Sequence, residues 1–243
     1  MTPARSAVFA AAAVLLMAAA PAMPDYVTNA VNDTTRPKED RDADATRLPA
    51  ETLAFSGVKP GMTVGELYPC GGYFSRMIAD VVGPTGKVYG LETTRWKDCA
   101  PADEKVAATV KNFTVKAEDF GAFTLTEPVD VFWITQNYHD LHIKEYGTVD
   151  MLAFNKHVFA SLKPGGVYFI LDHEAPAGTS EDAIAKLHRI EKAQLIREVE
   201  AAGFKLAAEG DFLHRAGDDH TLPIFDKAIR GKTDQYALKF VKP

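Results

Sequence analysis

One segment of the chain constrains the fold more than any other. Thr63 to Leu67 is a short, mostly apolar run, and Tyr73 to Val82 carries apolar residues at helical spacing. Lys87 to Leu91 is a second short run that fits a strand, and a glycine-bearing turn joins the first run to the helical one. This order predicts a strand, a covering helix and a second, parallel strand, which is the βαβ unit of α/β proteins.

The same alternation continues along the rest of the chain. Further helices are predicted at Leu48 to Phe55, Pro101 to Lys111, Val149 to Leu162 and Leu187 to Ala202, the last closed by Gly203. Further strands are predicted at Phe113 to Lys116, Val129 to Thr135, Val167 to Leu171, Phe204 to Glu209 and Tyr236 to Val241. Such a pattern predicts an α/β protein with a mostly parallel, seven-stranded sheet and helices on both faces.

The beginning of the chain differs from the rest. Arg5 precedes an unbroken apolar run, Val8 to Ala20, and Ala20-Pro-Ala22 has the small residues that a signal peptidase recognises. The run is shorter than the roughly 20 residues that span a bilayer. We expect residues 1–22 to be a cleaved signal of an exported, periplasmic protein, with an uncleaved anchor as the alternative. Residues 23–46 are polar and are interpreted as an arm, followed by a single domain at 47–243.

Charge and cysteine content narrow the partners and the compartment. The net charge is −6 and no basic run exceeds two residues, which argues against a nucleic-acid surface. The two cysteines, Cys70 and Cys99, can pair in an oxidising compartment, and both are expected to follow the ends of adjacent strands. A disulfide and two separate thiols both remain open.

Ligands of parallel sheets bind outside the carboxyl ends of the strands, near the point where the strand order reverses. The amides of a glycine turn and of a helix N-terminus face such a ligand, and an acid after the second strand accepts hydrogen bonds from ribose hydroxyls. The candidate site therefore consists of the residues that follow the first five strands, namely Tyr68 to Gly72, Glu92, Glu118 and Asp119, Gln136 to His142, and Asp172 to Glu174.

The densest reactive group follows the fourth predicted strand, where Tyr138, His139 and Asp140 are consecutive. His139 can remove a proton near neutral pH, and Asp140 can orient it. A metal site is the alternative, with ligands drawn from His139, His142, Asp172 and His173. Two further segments are candidates to close over the pocket, His188-Arg189 at the start of a helix and Asp218-Asp-His220 in a long connection.

The first turn resembles the cofactor-binding motif of Rossmann-like S-adenosylmethionine-dependent methyltransferases. That motif has an acid, an apolar residue and three glycines at alternate positions, and here it reads Glu66-Leu67-Tyr68-Pro69-Cys70-Gly71-Gly72. Glu66 and Gly72 match, whereas Tyr68 and Cys70 take the places of the first two glycines. Glu92 matches the acid that ends the second strand. Asp119 stands where these enzymes often contact the adenine amine.

Downstream segments are similar to a narrower group, a family of exported bacterial proteins that are predicted methyltransferases. The segments are Asn137-Tyr-His-Asp-Leu-His142, Leu171-Asp-His-Glu-Ala-Pro-Ala-Gly178, Leu187-His-Arg-Ile190, Glu198-Val-Glu-Ala-Ala-Gly-Phe204, Asp218-Asp-His-Thr221 and Ile229-Arg-Gly-Lys-Thr-Asp-Gln235. The likeness spans nearly the whole chain after the export signal. It implies a Rossmann-like methyltransferase sandwich whose last two strands form an antiparallel hairpin.

The resemblance implies S-adenosylmethionine as cofactor and methyl transfer to a small-molecule acceptor. The residues implied for cofactor binding are Glu66, Tyr68, Gly71, Gly72, Glu92, Asp119 and Asn137, and those for catalysis are His139, Tyr138 and Asp140. Two rival functions remain. The replaced glycines and the export signal favour a ligand-binding protein without catalysis, and the His and Asp residues after strands four and five favour a metal-dependent enzyme.

Overall fold

A computed structural model describes residues 22–93 and 99–243 of the chain, so the predicted export signal lies almost wholly outside the described residues. Seven strands form one sheet in the order β3-β2-β1-β4-β5-β7-β6. The strands are β1 Thr63–Leu67, β2 Lys87–Thr93, β3 Phe113–Glu118, β4 Val129–Thr135, β5 Leu162–His173, β6 Lys205–Gly210 and β7 Gln235–Val241. The first five are parallel and β7 is antiparallel to both neighbours, which confirms the predicted fold class.

Helices cover the sheet: α1 Asp25–Val31, α2 Lys38–Arg47, α3 Pro49–Ser56, α4 Tyr73–Val82, α5 Ala100–Thr109, α6 Met151–Ser161, α7 Glu181–Leu187 and α8 Lys192–Ala201. The central strand β4 shows why both faces need a cover. Val131 and Trp133 belong to one buried cluster and Phe132 and Ile134 to another, because successive side chains of a strand point to opposite faces. Among the described residues, no helix has the length and apolarity needed to cross a membrane.

The segment interpreted as a polar arm, residues 23–46, is helical over most of its length. α1 buries Val27 and Ala30, and it contacts α3 and α4. α2 buries no residue of its own, so the sequence has no apolar stripe that would indicate this helix. It is attached instead by polar contacts, in which Asp44 pairs with Arg36 at 2.8 Å and accepts a hydrogen bond from the Tyr73 hydroxyl at 2.7 Å.

The single helix predicted at Leu187 to Ala202 is wrong. α7 ends at Leu187, His188 has a left-handed backbone with φ of 53°, and α8 begins only at Lys192. Between them Ile190 forms a bridge to Glu174, just after β5. In this break His188 contacts Asp140 and Arg189 contacts Asp218.

The two cysteines form a disulfide, Cys70–Cys99, with 4.7 Å between their Cα atoms. Cys70 lies in the turn after β1, and Cys99 is the residue before α5. Of the two possibilities that the sequence leaves open, a disulfide and two separate thiols, the disulfide is the one observed. The bridge fastens the turn of the candidate site to the segment that follows β2.

Candidate functional site

A cavity of about 630 Å³ opens at the carboxyl ends of β1 and β4, where the strand order reverses. Its volume lies in the range of about 300–1,000 Å³ that small-molecule sites occupy. The structure brings several predicted site residues together on its wall, namely Glu66, Tyr68, Asn137, His139 and Asp140.

The turn after β1 keeps a left-handed backbone where the family motif has glycines. The φ angles are 51° at Tyr68, 42° at Cys70, 90° at Gly71 and 76° at Gly72. A left-handed conformation costs a residue with a side chain about 1–2 kcal/mol. At Gly72 a side chain is also excluded by packing, because a Cβ would lie 2.7 Å from Val106 of α5. The turn therefore has a glycine-type course although two of its positions are not glycine.

The acids beside this turn are buried. Glu66 accepts a hydrogen bond of 2.6 Å from the Ser75 hydroxyl, and burial raises the pKa of Glu66 to about 8. The Gly71 amide donates to Asp103 at 2.6 Å. One of the turn amides that the sequence analysis expected to face a ligand is thus occupied by a protein carboxylate.

Glu92 is the penultimate residue of β2, at the carboxyl end of the strand, and is 1% exposed. Neither of its carboxylate oxygens has a hydrogen-bond partner among the described residues. Burial and the neighbouring Asp103 carboxyl raise the pKa of Glu92 to about 9. A buried polar group without a partner is costly, so this acid is suited to a donor that arrives with a ligand.

Four of the seven predicted cofactor residues do not line the cavity, namely Gly71, Gly72, Glu92 and Asp119. Glu92 is buried, and Asp119 is exposed, with its carboxylate accepting a hydrogen bond from the Gly121 amide at 2.9 Å. Position after a strand end is therefore not enough to place a side chain in the site.

Arg47, the last residue of α2, lies on the cavity wall and was not predicted. Its guanidinium lies 4.1 Å from the ring centre of Tyr73 and 5.3 Å from that of Phe74. Its Nε is buried without a hydrogen-bond partner in the described part of the chain. A cation in this position can bind a carboxylate. The sequence did not indicate Arg47 as a site residue because it follows a polar segment without apolar periodicity.

His139 begins a 3-10 helix, His139–His142, that follows β4. Its Nδ1 lies 2.7 Å from Asp172 and its Nε2 lies 3.2 Å from Asp140. Burial alone would lower the pKa of His139, but these two carboxylates raise it to about 10. Both ring nitrogens face carboxylates, so the role predicted for His139, accepting a proton from a substrate, does not fit this arrangement.

Asp140 is the centre of a wider polar network. Besides His139, it accepts a hydrogen bond from the Asn137 amide at 2.9 Å and lies 3.2 Å from Nδ1 of His188. Burial would raise the pKa of Asp140, but the adjacent His139 and the hydrogen bonds lower it. His188 reaches this position from the break between α7 and α8. A continuous helix, as predicted from the sequence, would not have this break.

Tyr138, predicted as catalytic, faces away from the cavity. Its hydroxyl donates to Glu198 at 3.0 Å and accepts from Asn155 at 2.8 Å, and its side chain is completely buried in the core. His142 likewise turns from the cavity wall, with Nδ1 near Glu181 and Nε2 near Glu198.

The metal group considered from the sequence is not assembled. His142 has the partners just described, and His173 has its Nδ1 2.9 Å from the Thr233 hydroxyl. Among the residues that the structure describes, a different group has ligand atoms within 4.8 Å of one another, namely His139, Asp140 and His188.

The long connection between β6 and β7 does reach the cavity. Arg189 and Asp218 form a buried ion pair with contacts of 3.0 and 2.8 Å, and Arg189 also donates to the Leu222 carbonyl at 3.1 Å. This pairing fixes the connection against the α7–α8 break. Ile224 and Phe225 then complete the wall, with the ring centre of Phe225 4.8 Å from that of His188.

Comparison with protein-family models and with curated sequences finds no match. Solved structures do match in fold. An S-adenosylmethionine-dependent methyltransferase from Aquifex aeolicus has a TM-score of 0.59 at 18% identity, covering 85% of this chain and 98% of that one. Fibrillarin from Aeropyrum pernix, with natively bound S-adenosyl-L-methionine, has a TM-score of 0.54 at 16% identity, covering 82% and 76%.

An arsenic(III) S-adenosylmethionine methyltransferase from Chlamydomonas reinhardtii has a TM-score of 0.56 at 16% identity, covering 90% of this chain and 74% of that one. These likenesses cover 82–90% of this chain. The chain therefore has the fold of the Rossmann-like S-adenosylmethionine-dependent methyltransferases.

Proposed function

We propose that this protein is an S-adenosylmethionine-dependent methyltransferase with a small-molecule acceptor. The observation that carries the proposal is the cavity at the reversal of strand order, which joins the motif-like turn after β1 to the polar network after β4. Its volume suits a small ligand, and its wall has both apolar and polar side chains.

The buried groups around the cavity fit this cofactor. Glu92 is buried beside the cavity rather than on its wall, and its unpartnered carboxyl is suited to the two ribose hydroxyls once a ligand opens the wall there. The unpartnered Nε of Arg47, which lies on the wall, is suited to the carboxylate of the methionine part. Tyr68 and Cys70, in the turn after β1, also line the cavity. When bound, the cofactor would supply a methyl group on a sulfonium, from which S-adenosylhomocysteine departs as a neutral thioether.

The protein's own contribution is then mainly positioning. Methyl transfer is an in-line displacement, and orientation of the reactants accounts for a large part of such catalysis. Asp140 faces the cavity and is held in place by Asn137 and His139. Its carboxylate is suited to accept a hydrogen bond from the acceptor group, and Tyr146 and Phe225 line the same cavity.

Transfer of a labelled methyl group from S-adenosylmethionine to a panel of phenols, amines, thiols and carboxylic acids tests the proposal. We expect one acceptor class to be labelled. Glu92→Gln should lower kcat/KM by about 2- to 10-fold, because a pKa of about 9 keeps Glu92 protonated near neutral pH and a neutral hydrogen bond contributes about 0.5–1.5 kcal/mol. The exposed Glu104→Gln is the matched control and should not change it. Labelling that is equal in both variants would contradict the assigned role of Glu92.

A ligand-binding protein without catalysis is the second candidate. The observations that favour it are the side chains at Tyr68 and Cys70 and the occupation of the Gly71 amide by Asp103. Stoichiometric binding of S-adenosylhomocysteine without labelling of any acceptor in the panel would support this candidate over the enzyme.

We further propose that the protein is exported. The apolar run at Val8 to Ala20 supports this, and a disulfide such as Cys70–Cys99 is typical of oxidising compartments. The mass of the protein recovered from a periplasmic fraction tests it, with loss of residues 1–22 expected. Recovery of the full-length chain from the cytoplasm alone would contradict it.

A further inference from the structure

We propose that His139, Asp140 and His188 bind one divalent transition-metal ion in the wall of the cavity. Two imidazoles and a carboxylate form a donor set that suits zinc, iron, cobalt or manganese ions. The three residues come from two places in the chain, the 3-10 helix after β4 and the break between α7 and α8. The donor set does not depend on the proposed methyl transfer, although Asp140 belongs to both and all three donors lie in the same cavity.

The spacing of the donor atoms fits a single ion. Nε2 of His139 and Nδ1 of His188 each lie 3.2 Å from the same oxygen of Asp140. Neighbouring donors around an ion with bonds of about 2.1 Å are separated by about 3.0 Å in octahedral and 3.4 Å in tetrahedral geometry. Both distances to Asp140 fall between these limits, and the two histidine nitrogens lie within 4.8 Å of each other, so an ion requires these two rings to move closer together.

The surrounding residues hold the donors in the orientation that a metal site needs. Asp172 lies 2.7 Å from Nδ1 of His139, the nitrogen that faces away from the cluster. A carboxylate behind a metal-binding histidine fixes the ring and strengthens its other nitrogen as a ligand. Asn137 donates to the second oxygen of Asp140, so the first oxygen points to the cluster. These two contacts orient His139 and Asp140, two of the three donors.

The cluster also has room for further ligands. All three donors belong to residues on the cavity wall, so the remaining coordination positions of an ion would face the cavity. An open position is what distinguishes a metal site that acts on a bound molecule from a purely structural one. The chemistry of the donors therefore points to a molecule that binds the ion through an oxygen or nitrogen atom.

Titration of the metal-free protein with Co²⁺, followed by visible absorption and calorimetry, tests the inference. We expect one ion per chain. Asp140→Asn and His188→Gly should each weaken binding by at least about 100-fold, more than the loss of an outer partner such as Asp172. Glycine suits position 188 because the backbone there is left-handed, so this variant removes the ligand without straining the fold. His214→Ala, outside the cluster, is the control and should bind Co²⁺ as the wild type does.

Either of two results would overturn the site. One is no stoichiometric Co²⁺ binding to a folded wild-type protein, which would leave the three residues as a hydrogen-bonded network. The other is binding that His188→Gly and Asp140→Asn leave unchanged. Binding of S-adenosylhomocysteine by the same samples is measured in parallel, so that failure of the metal site is distinguished from failure of the proposed methyltransferase.

Discussion

At the scale of single residues, neighbourhood in the sequence did not decide which side chains face the cavity. Tyr138, His139 and Asp140 are consecutive, and only the last two lie on the wall. A 3-10 helix begins there and turns Tyr138 into the core, where Asn155 and Glu198 satisfy its hydroxyl. Those partners are distant in sequence, and no local pattern at Tyr138 indicates them.

We predict that Tyr138→Phe destabilises the fold and leaves ligand binding intact. Loss of the hydroxyl removes a hydrogen bond from buried Asn155 and one to Glu198, which costs about 1–3 kcal/mol. Urea denaturation measures the free energy of unfolding, and calorimetry with S-adenosylhomocysteine measures affinity. An affinity loss of tenfold or more in the folded variant would show that Tyr138 does contribute to ligand binding.

At the scale of elements, alternation of strands and helices was predictable, whereas interruptions were not. The apolar spacing from Leu187 to Ala202 is compatible with one helix, and nothing local marks His188 as its break. The partners that stabilise the break are Asp140 and Asp218, which lie 48 and 29 residues away in sequence. Long-range polar contacts overrode the local periodicity there.

The buried pair Arg189–Asp218 should be costly to break. Arg189→Met leaves the Asp218 carboxylate buried beside an apolar chain, and loss of one partner of a buried ion pair costs about 3–5 kcal/mol. The double variant Arg189→Met, Asp218→Asn should recover part of that loss because no charge remains unpaired. Thermal or urea unfolding of both variants checks this. Equal stability of the single variant and the wild type would contradict it.

The disulfide should stabilise the turn after β1 through the chain it closes. Cys70 and Cys99 are separated by 29 residues, for which loop closure gives about 3–4 kcal/mol. We predict that Cys70→Ser, Cys99→Ser lowers the free energy of unfolding by roughly this amount under non-reducing conditions. Addition of a reductant should lower the stability of the wild type and leave the double variant unchanged. A reductant effect of equal size in both proteins would argue against the bridge as its cause.

At the scale of the whole molecule, the sequence predicted the sheet correctly because buried strands and covering helices leave strong local patterns. Val129 to Thr135 was predicted with its observed bounds, as was the helix at Tyr73 to Val82. The helix α2 was missed because polar contacts, rather than an apolar face, attach it to the domain. Arg47 was missed with it, although it lies in the cavity wall.

The raised pKa of buried Glu92 makes the stability of the whole domain depend on pH. The pKa of Glu92 is about 9 in the folded protein against 4.5 ordinarily, so the folded state binds its proton more tightly than the unfolded chain does. Its contribution is therefore complete below pH 4.5 and is lost as the pH rises toward 9.

We predict that Glu92→Gln makes the decline of stability with pH less steep. At pH 8 the variant should be more stable than the wild type by more than about 1 kcal/mol, since one pKa unit corresponds to about 1.4 kcal/mol. Urea denaturation from pH 5 to pH 8 measures the slope, with the exposed Glu104→Gln as control. Identical slopes for wild type and Glu92→Gln would show that Glu92 is not protonated in the folded protein.

We propose that the cavity binds S-adenosylmethionine, with Arg47 at the methionine carboxylate. Calorimetry with S-adenosylhomocysteine and with methylthioadenosine, which lacks the amino-acid part, tests this binding mode. We expect Arg47→Met to weaken the binding of S-adenosylhomocysteine about 10- to 100-fold and to leave that of methylthioadenosine unchanged, because only one ligand carries the carboxylate. Arg41→Met, exposed on the same helix, should change neither affinity. No binding of S-adenosylhomocysteine to the wild type at millimolar ligand would show that the cavity is not a site for this cofactor.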